Sequence, residues 1–147
     1  MGRLSLSRVG SPEYQGYLAS VAWNRRRWAW FRSVRARGFE PACQVCLTRL
    51  DVVGSLDVHH VNYEGVVRLS SGEWVAGERD EDLMALCRGH HVLVHRALDR
   101  GREFLGWNRK TATVVVVAGL RSQWQGWSQE AQAGWVDAHM VRGCRDV

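Results

Sequence analysis

Cys43-x2-Cys46 and Cys87-x2-His90 are two short pairs of the residue types that hold a borderline cation. Each pair is close enough in sequence to turn two ligand atoms toward one ion, and two pairs together supply the four ligands of a closed, tetrahedral zinc site. A compact knuckle presents the first pair and the opening turn of a helix the second. Cys87 can equally meet His91 at i,i+4, since both spacings bring side chains together on a helix. Five of the six histidines lie between 59 and 95, which is the second concentration of chemistry in the chain. His91 and His95, four apart on one helix face, can share an ion, and either His59 or His60 can complete a three-nitrogen site with open positions. Neighbours on a strand point to opposite faces, so His59 and His60 have different jobs. The histidine left over is placed to act as a base, because a neutral imidazole takes a proton from water near neutral pH. A metal beside it polarises a phosphate oxygen, so the pair suits phosphodiester hydrolysis.

The elements that must position these residues are legible in outline. Ser11-Pro12-Glu13 reads as a helix start, with a cap, a proline in the first turn and an acid beside it, and the helix is predicted to run to about Arg37 before Gly38. Leu18, Val21, Trp28, Phe31 and Val34 form its apolar stripe. Pro41 to Cys46 is a compact turn, Leu56–Val61 a short strand, Asn62 to Gly72 a loop, and Glu73 to Ala76 a possible second strand. Asp80, Glu81 and Asp82 precede an apolar pattern through His95 and Leu98, as at a helix N-terminus. Thr111 to Ala118 is a β-branched run, and Gln123 to Val141 reads as a helix carrying Trp124, Trp127, Ala131 and Trp135 along one side. The division expected is a flexible leader over 1–10, a basic helix over 11–40, a metal-bearing core over 41–100 and an extension packed on it over 101–147.

Charge separates the ends of the chain. Residues 1–40 carry eight Arg against Glu13 and Glu40, a balance of +6, whereas the rest of the 147 residues carry −1 of the net +5. Such a block suits phosphate contact, and Arg25, Arg26, Arg27, Arg32 and Arg35 are the expected nucleic-acid-binding residues. No apolar run approaches the roughly 20 residues of a membrane span, and the basic N-terminus lacks the apolar centre of a signal peptide. The expectation is a cytoplasmic protein in a reducing compartment, with no membrane partner and with Cys144 a lone thiol.

In order along the chain, Cys43-x2-Cys46, Leu56-Asp57-Val58-His59-His60, Tyr63, Gly77-Glu78-Arg79, Asp82 to Cys87 and His90-His91-x3-His95 resemble the motifs of HNH endonucleases. Tyr17 to Trp23 and Arg27 also resemble the helix before the zinc knuckle in phage and bacterial members. The resemblance covers residues 14–98. It implies an α+β chain with a ββα-metal, treble-clef-like core, an N-terminal basic helix and a C-terminal strand/helix extension. It implies His59, His91 and His95 as ligands of a catalytic divalent metal and His60 as general base. Asp82 stands at the family's central Asn, where it orients the base or braces the loop. Cys43, Cys46, Cys87 and His90 are implied to hold a structural zinc, with His90 replacing the usual Cys. Three histidines and water suit Zn2+, Ni2+ or Co2+, whereas Mg2+ or Mn2+ is better served by oxygen.

The function this implies is metal-dependent hydrolysis of DNA phosphodiester bonds. Double-stranded DNA is the expected substrate, a phage packaging or replication protein a further partner, and the host cytoplasm the setting if the chain is phage-encoded. The competing reading is a non-catalytic zinc-stapled module that binds nucleic acid or protein; it needs the cysteine cluster but not His60. The division of labour predicts that His60→Ala removes cleavage with little change in melting temperature, whereas Cys43→Ala unfolds the domain.

Overall fold

The computed structural model describes residues 11–140, so the predicted leader and Cys144 lie outside the described residues. The chain is α+β and forms two compact units: one from the N-terminal part to Phe39 together with His60–Leu83, the other from Glu40–His59 together with the chain from Met84 onward.

In the first unit the predicted single helix is two: α1 (Pro12–Leu18) and α2 (Val21–Ala36). Ser11 caps the first as expected. Ser20 supplies a second cap, its side chain accepting from the Trp23 amide, and this competing local bond breaks the helix between them. Gly38, at φ +91°, follows the end of α2. The buried face also differs from the predicted stripe. Val21 and Trp28 are exposed, while Tyr14, Tyr17, Trp23, Trp30 and Phe31 are buried. Tyr17 is the centre of this small core, with the rings of Trp23 and Trp74 at 5.7 and 5.4 Å. The segment read as loop contains β2 (Val66–Arg68), which pairs antiparallel with β3 (Trp74–Ala76), Val67 opposite Val75. Gly65, at φ +88°, closes the base of this hairpin, where its carbonyl accepts from the Gly77 amide at 2.9 Å. A Cβ there would stand 2.1 Å from the Gly77 carbonyl oxygen, so only glycine fits.

In the second unit a short helix, α3 (Leu50–Val53), follows the knuckle. β1 (Asp57–His60) pairs with β4 (Leu83–Leu86). The acidic run read as the start of a long helix is instead a 3-10 turn over Asp80–Asp82, which belongs to the first unit, and α4 (Arg88–His95) begins only after Cys87. Leu83, Ala85 and Leu86 are buried as part of a strand; an apolar run this short carries no periodicity that separates the two readings. A π-helical turn over Arg96–Arg100 continues α4.

The expected strand in the extension is helical. α5 (Arg109–Gln125) includes the whole β-branched run, capped by Asn108, and α6 (Gln129–Met140) follows after Gly126. Four valines in a helix cost about 2–3 kcal/mol relative to alanine. Burial of Val116 and Val117, at roughly 1.5–3 kcal/mol each, more than offsets this. Ala112, Thr113, Val116 and Val117 are buried at the i,i+4 spacing of a helix rather than the alternation of a strand. Arg121 of α5 donates to the Gln44 carbonyl and so ties this helix to the knuckle.

Candidate metal centres

The knuckle is built by backbone bonds around Cys43, whose amide donates to the Thr48 carbonyl and whose carbonyl accepts from Leu47, both at 2.9 Å. Leu47 takes φ 60° to make this turn. Cys87 is the N-cap residue of α4, and His90 sits one turn along. Nδ1 of His90 lies 3.2 Å from Cys87 Sγ and 3.6 Å from Cys43 Sγ, and Cys46 Sγ lies 4.0 Å from Cys87 Sγ. Tetrahedral zinc sets its sulfur and nitrogen ligands roughly 3.3–3.8 Å apart, so the donor set fits such an ion. Cys43, Cys87 and His90 are buried. The choice between His90 and His91 thus falls to His90. Hydrogen bonding from Cys43 and Cys87 pulls the Cys46 thiol down, while bonds to Cys43 and Cys46, together with burial, push the Cys87 thiol up. Burial lowers the His90 pKa, but the bonds to Cys43 and Cys46 outweigh it and raise it to about 9. Protons and a cation therefore compete for one cluster.

α6 closes over this cluster. Trp135 stacks on His90 at 4.1 Å, and His139 also stacks on Trp135 at 4.1 Å. Gly89 permits the approach, since a Cβ there would lie 2.5 Å from the Trp135 ring.

His59, His91 and His95 form the second centre, with candidate ligand atoms all within 4.8 Å of one another. His59 on β1 is buried, and its ring lies 5.3 Å from that of His91 and 5.0 Å from that of His95. The Nε2 atoms of His91 and His95 face each other at 3.0 Å. Each ring is held from behind: His91 Nδ1 bonds to Asp57 Oδ2 and His95 Nδ1 to Asp99 Oδ2, both at 2.8 Å. A carboxylate accepts from Nδ1–H, and in the neutral ring this leaves the lone pair on Nε2. At 3.0 Å the two Nε2 atoms can share a proton in a hydrogen bond or a metal ion in its place. A separation of 3.0 Å subtends roughly 90° at a metal about 2.1 Å from each nitrogen, so these residues also fit an ion. The side chains of His91 and His95 are 19% and 21% exposed, so this centre opens to solvent on the α4 side. Three protein ligands with an open side is the pattern of a reactive site, and four enclosed ligands that of a structural one.

His60 is buried in the first unit. Its Nε2 lies 2.8 Å from Glu78 Oε1, and its ring stacks against Tyr63 at 4.8 Å and lies tilted against Trp23 at 4.3 Å. The Tyr17 hydroxyl donates to the same Glu78 oxygen. Burial pushes the Glu78 carboxyl up, but the bonds from His60 and Tyr17 bring it below the usual carboxylate range; burial, then Glu78, push the Tyr17 phenol up. Asp82, fully buried, accepts from Asn62 Nδ2 at 2.7 Å and Arg79 Nε at 3.0 Å, while its carbonyl accepts from the Val61 amide at 2.8 Å.

The basic helix is not uniform. Arg26 turns inward, donating to the Glu78 carbonyl at 2.7 and 3.0 Å and to Asp80 at 2.7 Å. Arg27 reaches Asn24 and lies over the Trp28 ring, while Arg25, Arg32 and Arg35 are exposed. Sequence reasoning gave no role to Asp57, Asp99 or Glu78. Two of them carried a local signal: Asp57 is two residues before His59 on a strand and Asp99 four after His95 on a helix, the spacings that share a face. Glu78 is eighteen residues from His60 and carried none beyond its place in Gly77-Glu78-Arg79.

Comparison with family models, with curated proteins and with solved structures returns no match for this chain. No helix among the described residues is long and apolar enough to cross a membrane.

Proposed function

We propose that the chain is a metal-dependent endonuclease of the HNH, ββα-metal type that hydrolyses phosphodiester bonds of double-stranded DNA. The observation that carries this reading is the second centre, where the Nε2 atoms of His91 and His95 converge at 3.0 Å beside His59, on partly exposed rings. A divalent ion bound there supplies the positive charge that polarises a phosphate oxygen and stabilises the leaving oxygen. His59, His91 and His95 hold that ion as neutral ligands. His60, the next residue in the chain, is the general base. Cys43, Cys46, Cys87 and His90 hold a structural zinc that fixes the knuckle against α4. The exposed Arg25, Arg32 and Arg35 give the phosphate contacts, so binding weakens as salt rises.

The test is nicking of supercoiled plasmid by purified protein with Mg2+, Mn2+, Ni2+, Co2+ or Zn2+, with His91→Ala alongside. Cleavage that needs the ion and is lost in the variant is expected. DNA binding without cleavage under every ion overturns the reading in favour of a zinc-stapled binding module, for which the near-complete burial of His60, 1% exposed, is the favouring observation.

A further inference from the structure

Asp57, Arg88, Asp99 and Arg109 surround the three-histidine centre, and the mechanism above uses none of them. We propose that Asp57 and Asp99 are positioning residues that fix the tautomer and aim of His91 and His95, and that Arg88 and Arg109 clamp them, so that the centre is preformed for a transition-metal ion. This rests on the metal reading of that centre.

The two halves are built alike from different elements. On one side Arg88, in the first turn of α4, donates to Asp57 Oδ2 at 3.2 Å, and the same oxygen bonds His91 Nδ1. On the other, Arg109 at the start of α5 donates to Asp99 Oδ1 at 3.1 Å, leaving Oδ2 for His95 Nδ1. Without a carboxylate behind it, a neutral imidazole in water exchanges its proton between the two nitrogens, and the tautomer with Nε2–H cannot ligate through Nε2. With one, the lone pair is held on the nitrogen that faces the partner ring, and the ligand is more basic. The charges also balance. Two carboxylates are offset by two guanidiniums and the three ligands are neutral, so a bound divalent ion keeps its double charge toward an anionic substrate. Neutral nitrogen ligands favour Zn2+, Ni2+ or Co2+ over Mg2+.

A purely structural role for these pairs predicts something different. Arg88 is 71% exposed and the remaining partners are a quarter or more exposed, and ion pairs this open add little to stability. Their removal should therefore change metal affinity far more than melting temperature.

The experiment is a cobalt titration of protein carrying one equivalent of zinc, for the wild type, Asp57→Asn, Asp57→Ala, Asp99→Asn and Asp99→Ala, followed by calorimetry and visible absorption. Cobalt entering the cysteine cluster reports itself separately through thiolate charge-transfer bands. The expected result is one further ion in the wild type and a 10–100-fold weaker Kd in each alanine variant, with melting of the cobalt-free proteins unchanged. Long-range 1H–15N spectra of the histidine rings, recorded before cobalt is added, should show Nδ1–H tautomers at positions 91 and 95 in the wild type and mixtures in the alanine variants. Affinities within twofold of wild type, or unchanged tautomers, overturn the proposal while leaving the metal reading in place. A wild type that takes up no second ion overturns both.

Discussion

His60→Ala should destabilise the protein substantially, contrary to the expectation from sequence that it would act on cleavage alone. The side chain is 1% exposed, packed between Trp23 and Tyr63 and bonded to Glu78. Truncating a buried ring of this size costs roughly 2–5 kcal/mol through lost contacts and the space left behind. Glu78 Oε1 keeps the Tyr17 hydroxyl but loses its imidazole partner, and a buried group stripped of a partner adds about 1–3 kcal/mol. The sum is roughly 3–6 kcal/mol after overlap between the two terms. For a chain of this size each kcal/mol lowers Tm by about 2–4 °C, so the expected fall is roughly 6–24 °C. Differential scanning calorimetry and urea unfolding on zinc-loaded protein measure it. His91→Ala, at a partly exposed site with a solvent-accessible carboxylate, is the comparison and should shift Tm by a few degrees at most. A Tm for His60→Ala within 2 °C of wild type would refute the reasoning that His60 is an integral part of the first unit's core. The practical consequence is that loss of activity in His60→Ala alone does not separate a missing base from a disordered unit, which is why His91→Ala is the variant chosen for the nicking assay.

Cys43→Ala should remove the zinc and unfold the second unit, because a structural zinc contributes about 10–16 kcal/mol to folding and a whole domain retains only about 5–15 kcal/mol; stoichiometric zinc with a native circular dichroism spectrum would contradict this. Gly65→Ala should cost about 2–4 kcal/mol, since its φ of +88° and the Gly77 carbonyl 2.1 Å from the new Cβ leave no room; a urea-unfolding loss below 1 kcal/mol would count against it. The Glu78 carboxyl, held below its unfolded value, contributes stability that is present above about pH 4.3 and lost as pH falls through the folded value. Glu78→Gln should therefore flatten the acid limb of the stability curve between pH 6 and 3, and an unchanged slope would rule out the depressed carboxyl. Replacing Arg25 and Arg32 with Gln should reduce the salt dependence of DNA binding by roughly two in log–log slope, read by fluorescence anisotropy, whereas Arg26→Gln should act on stability because its donors are engaged internally.

What the sequence determined by itself was the local chemistry. Two ligand pairs at i,i+3 converge whatever surrounds them, because a knuckle and one helical turn each set the distance between their own side chains. The Cys43, Cys46, Cys87 and His90 set and the placement of His91 beside His95 were legible for that reason, as was the α+β character. Choices resting on contacts distant in sequence were not. Thr111 to Ala118 has the composition of a strand and becomes α5 because one face of a helix buries Val116 and Val117. Leu83–Leu86 is too short for its period to show, and pairing with β1 makes it a strand. Arg26 looked like its neighbours Arg25 and Arg27, yet the Glu78 carbonyl and Asp80, more than fifty residues away, turn it inward. The tertiary structure likewise gave His60 its carboxylate and settled that His90 rather than His91 joins the cysteines, since a hydrogen-bond partner is chosen by proximity in space, which spacing along the chain encodes only within a turn or two of helix or strand.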